Sequence, residues 1–286
     1  MKIVIIGADG QLGSDIVRVL KNEDIVPLTI NEIDITDKEL TEKSITKHKP
    51  DLVINSAAFT QVDLCETEDL QAWKVNALGV KHISLVCKKI DAELLHISTD
   101  YIFDGSKKTP YIEDDKPGPL NVYGITKLDG EYYLKNILEK YYICRVSGIY
   151  GIHKCIGKGS NFVDTMLKLA NERDELRIVG DEILTPTYTL DIAKQIRELI
   201  KIHRYGIYHV TNQGECSWYE FACEIFRLAG IDIKVTEITS DEYPTAAKRP
   251  SYSVLENKAL KDIGIDHMSH WKGALDEYIK EKEGKE

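Results

Sequence analysis

The sequence predicts an α/β protein: a doubly wound parallel sheet accompanied by a smaller C-terminal part. Three observations carry this. Short apolar runs alternate with amphipathic stretches through the first half, a glycine-rich turn follows the first run, and the alternation changes after Gly151. Strands alternating with crossover helices form right-handed βαβ units whose helices cover both faces of the sheet. Ligands of such sheets bind beyond the C-terminal ends of the strands.

Taken in order, Ile3–Ile6, Ile25–Ile30, Leu52–Ile54, Leu94–Ile97 and Tyr142–Val146 are predicted as buried strands. Helical periodicity occupies 11–21, 66–89 and 122–139 between them. Beyond Gly151, a polar loop from His153 to Ser160 leads to a helix at about 161–171. Pro186-Thr187 opens another at about 189–202, and Gly206–Val210 has the look of a strand. Helices near 217–229 and 270–282 follow, with a loop around Pro244 to Pro250 between them. The tail from Lys280 is charged and expected to fray.

Composition narrows the class. A chain of 286 residues, 43% hydrophobic and 29% charged, can bury a core without staples. A formal charge of −10 argues against non-specific binding to nucleic acid or anionic membranes. A negatively charged ligand then needs a local positive field, from a helix N-terminus or a few basic side chains. The six cysteines, Cys65, Cys87, Cys144, Cys155, Cys216 and Cys223, show no C-x-x-C pair or framework spacing and are expected to be reduced. The opening apolar run stops at Gly7, too short for a secretion signal, and no run reaches the ~20 residues of a membrane span. A cytoplasmic location is the expectation.

Residues 7–13 read Gly-Ala-Asp-Gly-Gln-Leu-Gly, after a predicted strand and at the start of a predicted helix. Glycines there permit a tight turn and bring backbone N–H groups to a pyrophosphate at the helix N-terminus. The sheet is therefore predicted to be of the Rossmann type. The spacing G-x-x-G-x-x-G is the short-chain dehydrogenase variant. After the second strand come Asn31, Glu32 and Asp34-Ile35; a carboxylate here can bind the adenosine hydroxyls or the adenine amino group. No Arg or Lys stands at this strand end to welcome a 2′-phosphate, which leans towards NADH unless Arg18 or another distant residue folds in.

Tyr123 and Lys127, four apart on a predicted helix, share one face. An ammonium beside a phenol favours the phenolate and draws its pKa towards neutrality, so the pair can exchange a proton with a substrate oxygen. Ser98-Thr99 follows the strand Leu94–Ile97, where a hydroxyl can hydrogen-bond a reacting carbonyl; capping of a turn is the alternative. The remaining candidates are plainer. His267 and His270 lack a third ligand type, so no metal site is predicted. The Glu172–Glu175 run reads as a solvated helix end, and Tyr132 and Tyr133 as packing residues.

Together these motifs resemble the dTDP-4-dehydrorhamnose reductase family, over almost the whole length. The resemblance rests on the glycine turn, Asp34-Ile35-Thr36-Asp37, and Asn55-Ser56-Ala57-Ala58-Phe59-Thr60-Gln61-Val62-Asp63 with Glu66. It rests also on Ser98-Thr99-Asp100-Tyr101-Ile102-Phe103-Asp104-Gly105, Tyr123-Gly124-x-x-Lys127-x-x-Gly130-Glu131, Ser160-Asn161-Phe162-Val163, Pro186-Thr187 and Arg249-Pro250-Ser251. It implies reduction of a 4-keto-6-deoxy sugar on dTDP, with NADPH or NADH as hydride donor. By that likeness Gly7, Gly10, Gln11, Leu12, Gly13, Asp34, Ile35, Ala57, Ala58, Thr60 and Ser98 hold the cofactor together with Tyr123 and Lys127. Tyr123 protonates the C4 oxygen, Lys127 binds the nicotinamide ribose, and Thr99 polarises the ketone. Val62, Thr99, Tyr101, Asn161 and Arg249 face the substrate. The implied division is an NAD(P)-binding domain over 1–150, to which elements of about 184–212 return, and a smaller substrate-binding domain over 151–286. A homodimer is among the assemblies such relatives adopt.

One departure matters. The family commonly reads R-T-S-W-x-Y-G after the fifth strand, whereas this chain has Arg145-Val146-Ser147-Gly148-Ile149-Tyr150-Gly151. Loss of the tryptophan is expected to widen the sugar pocket or to leave the sugar held differently. A reductase of a related nucleotide-4-keto-sugar is one alternative, and a non-catalytic regulatory subunit of the same fold another. An epimerase or dehydratase is a third, since Asp100 sits where dehydratases carry an acidic pair.

Overall fold

A computed structural model describes residues 1–153 and 159–284. Strand β1 (Lys2–Ile6), almost wholly buried, runs into the glycine turn and helix α1 (Gln11–Val19). Strand β2 (Asp24–Leu28) returns beside it, followed by α2 (Lys38–Thr46) and β3 (Leu52–Asn55). Short helices α3 (Val62–Cys65) and α4 (Asp69–Trp73) lead through a π-helical stretch, Lys74–Gly79, into α5 (Val80–Ile90). Then come β4 (Glu93–Thr99), α6 (Val122–Ile137) and β5 (Tyr141–Val146).

The later half contributes β6 (Ile149–Tyr150), α7 (Phe162–Ala170), β7 (Glu175–Val179), β8 (Ile183–Leu184) and β9 (Thr187–Tyr188). Helix α8 (Thr189–Leu199) and strand β10 (Gly206–His209) follow, then β11 (Cys216–Ser217), α9 (Trp218–Ala229) and β12 (Lys234–Ile238). Helices α10 (Lys258–Asp262) and α11 (Trp271–Lys282) complete the described chain.

The main sheet has the order β10-β5-β4-β3-β1-β2, parallel at every pair. Pro27 sits in β2, an edge strand, where a missing N–H costs the ladder nothing. One apolar layer, including Leu12, Ile16, Ile192 and Ile196, packs α1 and α8 on one face; another, including Val80, Ile83 and Leu134, packs α5 and α6 on the other. Both faces are thus covered, which explains the uninterrupted apolar strands. The chain passes from β1 to β2 on one side and then crosses back over β1 to β3 on the other, so a crevice opens between the C-terminal ends of β1 and β3.

A separate core gathers Val163, Phe221, Ile225, Leu275 and Tyr278 from α7, α9 and α11 around the parallel pair β7–β12. Here the structure corrects the reading of the Glu172–Glu175 run. Glu175 opens β7, accepting a hydrogen bond from Thr236 of β12 and pairing with Lys234. Tyr132 and Tyr133 also differ from expectation: Tyr132 is 48% exposed, and Lys135 and Lys81 lie over the two rings respectively. His270 caps α11, its ring accepting from the Lys272 amide. Cys65, Cys87, Cys144 and Cys216 are buried thiols, and Cys223 is a half-buried one; Cys155 lies outside the described residues. No helix among the described residues is long and apolar enough to cross a membrane.

Candidate active site

A cleft of about 550 Å³ opens at that crevice and continues towards the C-terminal part. Its floor is the glycine turn. Gly7 has φ +76°, and a Cβ on Gly13 would fall 2.0 Å from the Gly7 carbonyl oxygen, so α1 can approach β1 this closely only without side chains. No side chain caps α1, whose N-cap is Gly10, and its first amides face the cleft as an anion site. The residues present therefore fit a dinucleotide pyrophosphate.

Every candidate site residue except Arg249 lines this cleft: Gly7, Gly10, Gln11, Leu12, Gly13, Asp34, Ile35, Ala57, Ala58, Thr60, Val62, Ser98, Thr99, Tyr101, Tyr123, Lys127 and Asn161. Gln11 donates from Nε2 to the Gly151 carbonyl, tying α1 to the chain after β6. Asp34 accepts from the amide and hydroxyl of Thr36 at 2.9 and 2.7 Å, which fixes the turn beside the cleft. The Ala57–Thr60 loop is held by Asn76, whose amide side chain brackets Phe59 by accepting from its N–H and donating to its carbonyl. Asn76 belongs to the π-helical stretch, a local irregularity with a positional use. Sequence reasoning missed it.

Helix α6 carries Tyr123 and Lys127, and its start is fixed twice. Asn121 caps it by accepting from the Gly124 amide, and Glu66 accepts from the Val122 amide at 2.8 Å. Glu66 thereby acquires a physical role within the A-A-x-T-x-V-D-x-x-E motif. Tyr123 lies beside Thr99, whose hydroxyl opposes the rise of the phenol pKa, and packs edge-on against Tyr101 at 5.9 Å. Thr99 also donates to Asp100 Oδ1 at 3.0 Å and accepts from the Tyr101 amide. Ser147 donates to the other oxygen of Asp100, so the carboxylate is buried but held, with burial pushing its pKa up and hydrogen bonds opposing. Asp100 organises Thr99 from behind.

Ser98 points the other way. Its hydroxyl donates to Glu131 at 2.5 Å, within a buried pair in which Arg145 grips Glu131 at 2.8 and 3.0 Å. Successive strand residues face opposite sides, so of the two hydroxyls only Thr99 meets Tyr123. Lys127 donates to the Ile97 carbonyl at 2.6 Å and lies 3.3 Å from the ring of His96. Burial pushes the Tyr123 phenol up rather than down, and burial lowers Lys127 to about 8. The expected draw of the phenol towards neutrality is not found, since Lys127 donates to the Ile97 carbonyl of the sheet.

At the far end Phe162, Glu182, Leu184, Trp218 and Ser253 join the lining. Burial pushes the Glu182 carboxyl up, and Arg249 and, more weakly, Trp218 oppose this. Nothing in the local sequence marks Glu182 or Trp218. Arg249 itself grips Asp63 at 2.7 and 3.2 Å, tying the Pro244–Pro250 loop to α3, and lies behind the wall rather than in it. Asn161 lines the cleft, but its side chain caps α7 and donates to the Gly151 carbonyl. Gly148 does not leave a hole. It adopts φ +52°, and the direction a Cβ would take is filled by Leu184 Cδ1 at 2.6 Å. Among the described residues no group of three or more His, Cys, Asp or Glu side chains converges on a possible metal.

A glycine turn at the switch point of a parallel sheet, faced by Thr99, Tyr123 and Lys127, defines a short-chain dehydrogenase/reductase type of protein. The chain matches the RmlD substrate binding domain family over residues 1–283 and belongs to it. It is 42% identical to the spore coat polysaccharide biosynthesis protein SpsK of Bacillus subtilis, over 98% of each chain. Its fold is similar to a dTDP-4-dehydrorhamnose reductase of Clostridium acetobutylicum, with TM-score 0.95, 44% identity, and 99% and 100% of the two chains covered. The Bacillus anthracis dTDP-4-dehydrorhamnose reductase, solved with NADP, gives 0.94 at 37% identity over 98% and 99%.

Proposed function

We propose that this chain is an NAD(P)H-dependent reductase that converts dTDP-4-dehydro-6-deoxy-L-mannose to dTDP-L-rhamnose. The observation that carries the reading is the convergence of Thr99, Tyr123 and Lys127 on one cleft that also holds an uncapped glycine turn. The bound dinucleotide supplies a hydride. Tyr123 holds the proton that the C4 oxygen needs, and its raised pKa keeps the phenol protonated and ready to donate. Thr99 and the Lys127 ammonium stabilise the phenolate left behind, once Lys127 swings from Ile97 towards the ribose. The cofactor is held by Gly7, Gly10, Gln11, Leu12, Gly13, Asp34, Ile35, Ala57, Ala58 and Thr60, with Ser98 acting through its backbone. Val62, Tyr101 and Asn161 border the sugar, and Arg249 acts on it through the loop it anchors.

In this reading residues 1–150 with the returning 184–212 segment hold the cofactor, and the rest of 151–286 holds the sugar nucleotide. The enzyme works in the cytoplasm, and a homodimer is one assembly it could adopt. The test follows NADH and NADPH absorbance with dTDP-4-dehydrorhamnose formed in situ, for wild type and Tyr123→Phe. Oxidation by wild type with at least a 10²-fold fall in the variant supports the reading. Cofactor binding without oxidation refutes this substrate. The Gly148 departure, with its Leu184-filled wall, favours a related nucleotide-4-keto-sugar as the substrate to try next.

A further inference from the structure

The adenosine end of the cleft is shaped by the end of β2. The amides of Gly7 and Ala8 both donate to the Leu28 carbonyl, which brings the glycine turn against Thr29 and Ile30. The lining here comprises Asp9, Thr29, Ile30, Ile33 and Asp34. Two of these are carboxylates. Among the described lining residues Lys127 is the one lysine, at the other end, and there is no arginine.

Glu32 adds a third negative charge in a defined place. Its Oε2 accepts from the Thr29 amide at 2.8 Å and from the Thr29 hydroxyl at 2.6 Å. Those two groups are the strand-end donors that could otherwise take a phosphate on the ribose. The same hydrogen bonds hold the Glu32 carboxyl below its usual range, so it is ionised wherever the enzyme works. Arg18, the distant cation considered above, is committed to Glu281 at 2.5 Å. Lys47, at the C-cap of α2, stabilises the Glu32 carboxylate less than the Thr29 hydrogen bonds do.

We infer that this chain selects NADH over NADPH, with Glu32 as the specificity-determining residue through its hold on the Thr29 donors and its charge. The inference rests on the reading that the cleft takes a nicotinamide dinucleotide. A ribose with free hydroxyls can donate to carboxylates here, whereas a 2′-phosphate brings two further negative charges into a region of like sign with its donors already engaged.

The test measures binding of NADH and NADPH by calorimetry, without sugar. A Kd for NADPH at least tenfold weaker than for NADH is expected, with the gap narrowing from 0.05 to about 0.5 M salt as the repulsion is screened. Glu32→Arg is expected to tighten NADPH at least tenfold while changing NADH by no more than about threefold. Equal or tighter binding of NADPH by wild type overturns the inference, as does a Glu32→Arg variant that leaves the ratio unchanged. If neither dinucleotide binds, the inference falls together with the dinucleotide reading. Failure to turn over a particular sugar leaves these binding results standing and concerns the substrate alone.

Discussion

Lys127 Nζ lies 3.3 Å from Nε2 of His96 and donates to the Ile97 carbonyl at 2.6 Å, with both side chains buried. Both groups feel the enclosure. Burial holds the His96 ring neutral, its pKa well below the usual value, and the nearby Lys127 lowers it further. Asn55 bonds the other ring nitrogen at 3.2 Å and also accepts from the Ala57 amide, so Lys127 is coupled through His96 to the Ala57–Thr60 loop.

The buried ammonium has a thermodynamic signature. Lys127 falls from its ordinary 10.5 to about 8 on folding. Between those values the unfolded chain binds the extra proton, so this group makes stability rise with pH across that window. Below pH 8 its full penalty is present, on the order of 3 kcal/mol. Lys127→Met is therefore expected to melt above wild type at pH 7, with the gap closing as pH rises from 8 towards 10. Thermal melts across this range check it; a gap independent of pH would rule out the buried charge as its cause.

Gly148 is expected to resist substitution. Alanine there carries a left-handed backbone cost of roughly 1–2 kcal/mol, and its Cβ meets Leu184 Cδ1 at 2.6 Å. The double variant Gly148→Ala/Leu184→Ala should lose less than the sum of the single losses, because the contact disappears with Leu184. Urea unfolding of the three variants measures this, and strict additivity would contradict the contact.

The Arg249–Asp63 pair predicts a split in kinetic effects. Asp63→Asn removes the charge-assisted grip that ties the Pro244–Pro250 loop to α3. KM for the sugar nucleotide should rise by about three- to tenfold, while the dissociation constant for NADH stays within about twofold. A fall in cofactor affinity instead would show that the pair supports the other end of the cleft.

Much of this architecture was legible in the chain. Runs such as Ile3–Ile6 and Leu52–Ile54 are apolar on both sides because helices cover both faces of the sheet, and that pattern survives in sequence. Gly7 to Gly13 and the Tyr123–Lys127 spacing carry their geometry locally. The pair β7–β12 was not legible, since Glu175, Arg177 and Lys234 are exposed and dilute the apolar signal. Nor could spacing separate Ser98 from Thr99: the strand turns one hydroxyl to Glu131 and the other to Tyr123. Glu182 and Trp218 reach the cleft by tertiary packing alone, and Gly148 is filled by Leu184, distant in sequence, so its space could not be judged from a missing side chain.

The central claim is net hydride delivery to C4 of the sugar, with Tyr123 providing the proton. Its most direct test supplies NADH deuterated at both C4 positions with dTDP-4-dehydrorhamnose, and locates the label by NMR. One deuterium at C4 of the sugar for each NADH consumed, with Tyr123→Phe slowed at least 10²-fold, is the predicted result. Sugar conversion without net NADH consumption, or deuterium recovered elsewhere, would contradict it and point to epimerase chemistry on the same fold.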